Sequence, residues 1–282
     1  MKQYTRRDAL KLFGIGTVAV AGLGLAGCSG SGEGTGGGAQ KSSEPVPASQ
    51  AFGQAGVWMV YNGNKQIGKD TGVERVLVFD GNGNVTVYDT KYVWMNGGTS
   101  YVDVTFGDLD GMSNDEIIDL AKKKDRERFD ATKQSAIDET NEDIEEATSL
   151  PPDYAANEAA GQKVNEAAEY QEPEAVPFTL RLETDDTGNI AASETLSFEH
   201  QSLNSSHFYS GSHIGSHPDR YADEALYETE QVDIDLSAPT YSTTQTVYGT
   251  TFGGYSGLAT VVNEGHAGFT WDTPDAEGIE VD

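Results

Sequence analysis

The stretch ERVLVFDGNGNVTVYDT, residues 74–90, predicts the fold class of this chain. Two runs rich in β-branched and aromatic residues, Val76–Phe79 and Val85–Tyr88, flank the sequence Asp-Gly-Asn-Gly-Asn. Such runs favour strands, and Gly and Asn supply the positive φ angles that a tight reversal of the chain needs. The pattern therefore predicts a β-hairpin whose turn lies at residues 80–84.

The turn has one alternative interpretation, a calcium loop. Asp80, Asn82 and Asn84 occupy alternate positions, as the oxygen ligands of an EF-hand loop do. That loop also requires glycine at its sixth position and glutamate at its twelfth, where this chain has Val85 and Lys91. The hairpin interpretation is therefore favoured.

Further strand-forming segments lie on both sides of the hairpin, in residues 56–110 and again in residues 175–272. They bring the expected number of strands to about ten. The fold class predicted is mainly β with a helical insertion: an antiparallel β-sandwich or barrel plus an αα-hairpin, in one domain of residues 56–282. The segment GVWMVYNGNKQ, residues 56–66, with a tryptophan in the first strand followed by hairpins, faintly resembles the start of lipocalin-like barrels.

The helical insertion is predicted at residues 113–171. Ser113 and Glu116 fit the capping box of a helix start, and no Gly or Pro follows until Pro151. The expected apolar stripe of this first helix is Ile118, Phe129, Ala136 and Ala147. A second helix, expected from residue 153 to 170, offers Ala156, Ala160, Val164 and Ala167 on one face. Because both faces are thinly apolar, the helical hairpin is predicted to be separable from the β-core.

The sequence KKKDRER, residues 122–128, is a concentration of basic side chains in the first predicted helix. An acidic partner could bind there. The simpler interpretation is a solvated helix face, on which these side chains pair with neighbouring acids at a spacing of three or four residues.

The N-terminus combines an apolar run of 13 residues, 15–27, with paired arginines before it and the only cysteine, Cys28, after it. The run is too short to span a bilayer. The segment TRRDALK, with Arg6 and Arg7, resembles the twin-arginine export motif, although Ala9 stands where a large apolar residue is commoner. The segment LAGC, residues 25–28, resembles the lipobox of bacterial lipoproteins. The resemblance implies a signal peptide of residues 1–27 that is cleaved, and a lipid attached to the sulfur of Cys28.

The same resemblance implies a protein held on the outer face of the cell membrane by its acyl anchor. Residues 28–55 are predicted to be a flexible Gly, Ser and Pro-rich tether between the anchor and the domain. Loss of residues 1–27 removes four basic residues and one acidic residue from the 18 and 46 of the chain. The remaining charge of −31 argues against nucleic acid as a partner, because phosphates bind to Lys and Arg.

Residues 200–221 contain four of the five histidines. Imidazole is a common ligand of zinc and copper, so His207, His213 and His217 form a candidate metal site in the loop His200–His217. The spacing matches no known motif, and Gly215 and Pro218 argue against a shared helix face. The expectation is a polar loop with its histidines in water and no cofactor, although a transition metal is a possible ligand.

These observations leave three functional hypotheses. The first is a non-catalytic module that binds a small molecule, a glycan or a protein. The second is a metal-dependent hydrolase that uses the histidine loop, and the third is an envelope structural protein that assembles through the helical hairpin. The sequence contains no catalytic motif, which favours the first.

Overall fold

The computed structural model describes residues 42–63, 66–92, 101–102, 104–147, 152–208, 225–237 and 244–282. These residues form a mainly β fold with a helical insertion, as predicted. The described strands are β1 (Val46–Pro47), β2 (Ala55–Tyr61), β3 (Val73–Asp80), β4 (Asn84–Asp89), β5 (Lys91–Tyr92), β6 (Tyr101–Val102), β7 (Val176–Thr184), β8 (Ala191–Leu203), β9 (Tyr227–Asp235), β10 (Thr244–Val247), β11 (Thr250–Tyr255), β12 (Leu258–Val262), β13 (Phe269–Thr270) and β14 (Glu280–Val281). The described helices are α1 (Ala48–Phe52), α2 (Asn114–Ala147) and α3 (Pro152–Ala167).

Ten of these strands form one sheet in the order β10-β11-β12-β2-β3-β4-β7-β8-β9, with β14 added beside β7. All neighbours in that order are antiparallel, whereas β14 runs parallel to β7. The junction between β4 and β7 is short, with only Asn84 opposite Pro177 and Val85 opposite Val176. The sheet therefore consists of two halves, β10 to β4 and β7 to β9, joined at one end.

The two halves share a core. Leu77 and Phe79 of the first half pack in the same buried cluster as Leu196 and Phe198 of the second, together with Trp58. Because residues of one strand alternate between the two faces, the side chains that meet here come from one face of each half. The arrangement is that of an antiparallel sandwich, in agreement with the predicted fold class.

The hairpin of residues 74–90 is present with its turn at the predicted place. Val76 lies opposite Tyr88, and Phe79 lies opposite Val85. The Asp80 carboxylate accepts hydrogen bonds from the backbone N–H groups of Asn82 and Asn84 at 2.7 and 3.1 Å, and from the Asn84 amide at 2.8 Å. Both carboxylate oxygens of Asp80 therefore stabilise the turn itself.

The predicted start of the folded domain is wrong. Residues 46–52, assigned to the tether, form β1 and α1, and Val46, Ala48 and Phe52 are buried in the core. Phe52 is fully buried, with its ring centroid 4.8 Å from that of Trp58 and 5.0 Å from that of Phe79. The chain is thus part of the domain at least from Val46 onward, ten residues earlier than the composition indicates.

The first predicted helix is confirmed, and its apolar face is corrected. Ser113 and Glu116 form the capping box: the Ser113 N–H donates to the glutamate at 2.8 Å, and the Glu116 N–H donates to the serine hydroxyl at 3.3 Å. The buried positions recur every three or four residues, so that one side of the helix faces the protein. They are Ile117, Ala121, Asp125, Phe129, Thr132, Ala136 and Thr140. Ile118, part of the predicted stripe, is only half-buried.

The predicted face of the second helix is wrong. Ala156 is exposed, whereas Glu158 and Asn165 are buried. The Asn165 amide donates to the Ala136 carbonyl and to the Thr140 hydroxyl, both at 3.2 Å. Alanine loses little by exposure, so hydrogen bonds to α2 decide which face of α3 is turned inward.

Candidate functional site

A cavity of about 610 Å³ opens where β4 and β7 separate. Their pairing ends at Val85, so the rest of β4 and the segment 168–175 before β7 diverge and leave room between the two halves of the sheet. Helix α2 lies over this opening. The wall consists of Val87, Asp89, Asp125, Arg128, Phe129, Tyr170, Gln171, Glu172, Pro173, Glu174, Val176, His200, Gln201, Leu203 and Tyr227. We call this space the larger cavity.

The carboxylate of Asp89, the last residue of β4, is held by two arginines. Arg75 donates from Nε to one carboxylate oxygen at 2.9 Å, and Arg128 donates to the other at 3.1 Å. Arg75 also donates to both carboxylate oxygens of Glu230, at 2.7 and 2.9 Å. A buried charge without a partner would cost several kcal/mol, roughly, so these pairs fix Asp89 in place.

Asp125 enters the cavity wall from α2 and is 6% exposed. One of its oxygens accepts the backbone N–H of Asp89 at 3.1 Å, and the other accepts the Tyr170 hydroxyl at 2.7 Å. Burial raises the pKa of Asp125 to about 6, although the Tyr170 hydrogen bond and the charge of Arg128 oppose the rise. Burial and the nearby Asp125 carboxylate raise the pKa of Tyr170 well above its usual value, so Tyr170 remains a hydrogen-bond donor.

His200 projects from β8 into the same wall and is 5% exposed. Its Nε2 atom lies 3.3 Å from a Glu230 oxygen, an approach too poorly aligned for a hydrogen bond. Burial lowers the pKa of His200, although the carboxylates of Asp89 and Glu230 oppose this shift. The shift favours the neutral form of the imidazole.

A second cavity, of about 330 Å³, adjoins the first, since Asp89, Arg128 and Leu203 line both. We call it the smaller cavity. Its other lining residues are Val60, Glu74, Arg75, Lys91, Thr132, Ser202 and Ser205. The Arg128–Asp89 ion pair therefore borders both spaces.

The histidine prediction is corrected for His200 and stays open for the rest. His200 belongs to strand β8 and is buried, so it is not part of a solvated loop. His207 ends a short 3₁₀ turn, with its ring edge-on to Phe208 at 5.8 Å between centroids. His213 and His217 lie outside the described residues. Within the described ranges, no group of three His, Cys, Asp or Glu side chains is placed to hold a metal ion.

The basic segment 122–128 mostly behaves as the simpler interpretation expects. Lys123 and Lys124 pair with Glu127, and Arg126 pairs with Asp130. Two members of the run differ: Lys122 pairs with Glu172 outside the helix, and Arg128 turns inward to Asp89.

Asp125 and Arg128 are therefore site residues that the sequence did not predict. Asp125 lies four residues after Ala121 and four before Phe129, both of them buried. A carboxylate in the middle of a buried helical stripe is the signal that could have identified the site, because ionised groups are rarely buried without a specific partner.

Neither a protein-family model, nor a curated protein, nor a solved structure matches this chain. Cys28, Arg6 and Arg7 lie outside the described residues. In the part of the chain that the structure describes, no helix combines the length and the apolar character that crossing a bilayer requires. The arrangement of charges around the larger cavity is therefore the main evidence about function.

Proposed function

We propose that this chain is a lipid-anchored extracytoplasmic protein whose folded domain binds a small organic molecule in the larger cavity. The observation that carries the proposal is the cavity itself. Its volume of about 610 Å³ falls in the range of about 300–1,000 Å³ that is usual for small-molecule sites. Phe129, Tyr170 and Tyr227 supply aromatic surface, and Asp125, Arg128 and His200 supply a few polar groups beside it.

The polar walls are fixed before any ligand arrives. Both carboxylate oxygens of Asp89 accept hydrogen bonds from arginines, and both oxygens of Asp125 accept hydrogen bonds from Tyr170 and from the Asp89 backbone. A cavity whose charged groups are held by one another needs little rearrangement on binding, which favours affinity. This arrangement supports a binding function more directly than a catalytic one.

The lipid anchor rests on the lipobox resemblance. If Cys28 carries the lipid, fewer than 20 residues separate the lipid from Val46, the first residue of β1. Replacing Cys28→Ser should release the protein from the membrane fraction of the producing cells, whereas Ser31→Ala should not. Mass spectrometry of the mature N-terminus is the direct measurement, and an intact Met1 or an unmodified Cys28 would contradict the anchor.

The binding proposal is tested by filling the cavity. Leu203→Trp adds volume at the position where the two cavities adjoin, and Ile190→Trp, in an exposed turn, is the matched control. The thermal unfolding midpoint of the mature protein is measured with a panel of amino acids, monosaccharides, amines and short carboxylic acids. We expect at least one compound to raise the midpoint of the wild type and of the control, and not that of Leu203→Trp.

A second measurement covers a ligand outside the panel. Protein purified from its own membranes is denatured, and the released small molecules are identified by mass spectrometry. The proposal is wrong if no panel compound raises the midpoint and no molecule is released by the wild type in excess of Leu203→Trp.

A further inference from the structure

The smaller cavity gathers positive charge in a strongly acidic protein. The chain has a net charge of −28 and only 18 basic residues, yet Arg75, Lys91 and Arg128 all line this one space. Two carboxylates, Glu74 and Asp89, line it as well. Glu230, which accepts two hydrogen bonds from Arg75, is a third carboxylate beside it, so three positive charges are balanced by three negative ones.

Both lining carboxylates already form ion pairs with basic side chains. Lys91 lies 3.4 Å from the Glu74 carboxylate, and Asp89 accepts hydrogen bonds from Arg75 and Arg128. The distant acidic surface acts only weakly here, since charges in solvent are screened beyond about 8–10 Å at moderate salt. The local charges are therefore balanced, and an anion meets much less repulsion here than the net charge of the chain would suggest.

Hydrogen-bond donors remain available at the same place. Arginine has five N–H groups, and Arg128, whose side chain is 14% exposed, donates to Asp89 through one nitrogen. Its Nε atom is buried, so donation into the cavity falls to the terminal nitrogens of the guanidinium group. The hydroxyl-bearing residues Ser202 and Ser205 also line the cavity.

We propose that the smaller cavity is a subsite for an oxyanion group, a carboxylate or a phosphate, of the molecule that occupies the larger cavity. The inference rests on the proposed function and adds the chemical class of the ligand. Arginine binds both kinds of oxyanion through its planar fork, lysine binds them as a point charge, and serine hydroxyls donate to their remaining oxygens. Because Asp89, Arg128 and Leu203 line both spaces, one ligand can reach from the aromatic wall to the cationic end.

The experiment is isothermal titration calorimetry of the mature chain with two probes, inorganic phosphate and acetate, at an ionic strength kept constant with sodium chloride. We expect saturable binding of at least one probe. Lys91→Gln should weaken that binding at least tenfold, since it removes one of three charges and leaves the Arg128–Asp89 pair in place. The matched control is Lys123→Gln, because Lys123 is exposed and pairs only with Glu127 among the described residues.

Folding and binding are separated by further variants. Arg128→Gln threatens the fold because it leaves Asp89 with one arginine, so Ser205→Ala provides a mild second change on the cavity wall. Each variant is compared only if its circular dichroism spectrum and unfolding midpoint match those of the wild type. A preference for acetate or phosphate identifies the oxyanion.

Absence of saturable binding by both probes would overturn the inference, as would unchanged affinity in Lys91→Gln. If a panel compound binds and Leu203→Trp blocks it while neither anion binds, the proposed function stands and the anion subsite is wrong. If an anion binds with the expected loss in Lys91→Gln but no molecule occupies the larger cavity, the anion subsite is supported and the proposed function fails.

Discussion

The backbone N–H of Asp272 donates a hydrogen bond of 2.9 Å to the Glu194 carboxyl group in the interior of the domain. Glu194 is fully buried in strand β8, and Asp272 follows β13 near the C-terminus. The Asp272 carboxylate in turn accepts the N–H and the hydroxyl of Ser49, at 2.8 and 2.6 Å. The N-terminal and C-terminal segments are thus joined to each other and to the sheet through two neighbouring acids.

This pair predicts an unusual pH dependence of stability. Burial raises the pKa of Glu194 to about 8, and the adjacent Asp272 carboxylate contributes to the rise. Between the unfolded pKa of about 4.3 and that value, the folded state holds a proton that the unfolded state has lost, so the free energy of unfolding falls as the pH rises. Glu194→Gln keeps an acceptor for Asp272 and should flatten this fall between pH 5 and pH 8.

Urea unfolding at several pH values measures the effect. Glu183→Gln, which changes an acid near the end of neighbouring strand β7, is a suitable control and should leave the slope unchanged. Equal slopes for the wild type and Glu194→Gln would show that Glu194 is ionised in the folded protein at pH 7.

The second prediction concerns the segment that composition assigned to the tether. Phe52 is buried among the rings of Trp58, Phe79 and Tyr255. Phe52→Ala should lower the free energy of unfolding by about 3–5 kcal/mol, the usual effect of removing a buried aromatic side chain. Gln50→Ala, on the exposed side of the same helix, should change it by less than about 0.5 kcal/mol. The free energy of unfolding is measured with urea. An unchanged value for Phe52→Ala would restore the tether interpretation.

The contrast between this segment and the hairpin of residues 74–90 shows what the sequence could predict. The hairpin is local: two runs of β-branched and aromatic residues and a Gly/Asn turn specify it within 17 residues. The segment of residues 46–52 is short and rich in Ala, Pro and Ser, as a tether is. It folds because Val46 pairs with Phe269 and Ser49 donates hydrogen bonds to Asp272. These partners lie more than 200 residues away along the chain, so residues 46–52 carry no local pattern that would predict the contacts.

The site shows the same division. The capping box and the absence of Gly and Pro predicted helix α2, but its inward face depends on what it covers. In the sequence, Arg128 is one more member of a basic run. In the fold it turns inward because Asp89, its ion-pair partner, lies at the end of β4. From the sequence, His200 is assigned to a histidine-rich loop. Strand β8 continues past it to Leu203 because β8 pairs with β9, a contact that the local sequence does not reveal.

The third prediction corrects the expected separability of the helical hairpin. Ile117 and Ala121, in the first turns of α2, are buried in a core cluster with Met59, Val76 and Phe106. Removal of the whole insertion, residues 113–170, should therefore abolish cooperative unfolding. The Lys133 amino group donates to the Ala168 carbonyl at 2.8 Å, which shows that α2 at this point lies close to the end of α3.

A shorter deletion tests the same point with a folded product. Excision of residues 134–166, closed by a short glycine linker, keeps the part of α2 that packs on the sheet and should leave one cooperative transition in urea. The expectation is reversed if the long deletion unfolds cooperatively and the short one does not. In that case the β-core would fold without any part of the hairpin, and Ile117 and Ala121 would not be needed for its cooperativity.

The last prediction tests the charge arrangement of the larger cavity through Tyr170. Its hydroxyl donates to Asp125 at 2.7 Å and stabilises the ionised carboxylate, which partly offsets the effect of burial. Tyr170→Phe removes that hydrogen bond with little change of shape, so the pKa of Asp125 should rise above its value of about 6. The measurement is the pH titration of the Asp125 carboxyl carbon by NMR, with Tyr248→Phe, at an exposed turn, as the control.

Asp125 would then be largely protonated at pH 6, and a ligand that depends on its negative charge should bind more weakly to Tyr170→Phe at pH 6 than at pH 8. A titration unchanged by Tyr170→Phe would mean that burial, Arg128 and Asp89 set the pKa of Asp125 without Tyr170.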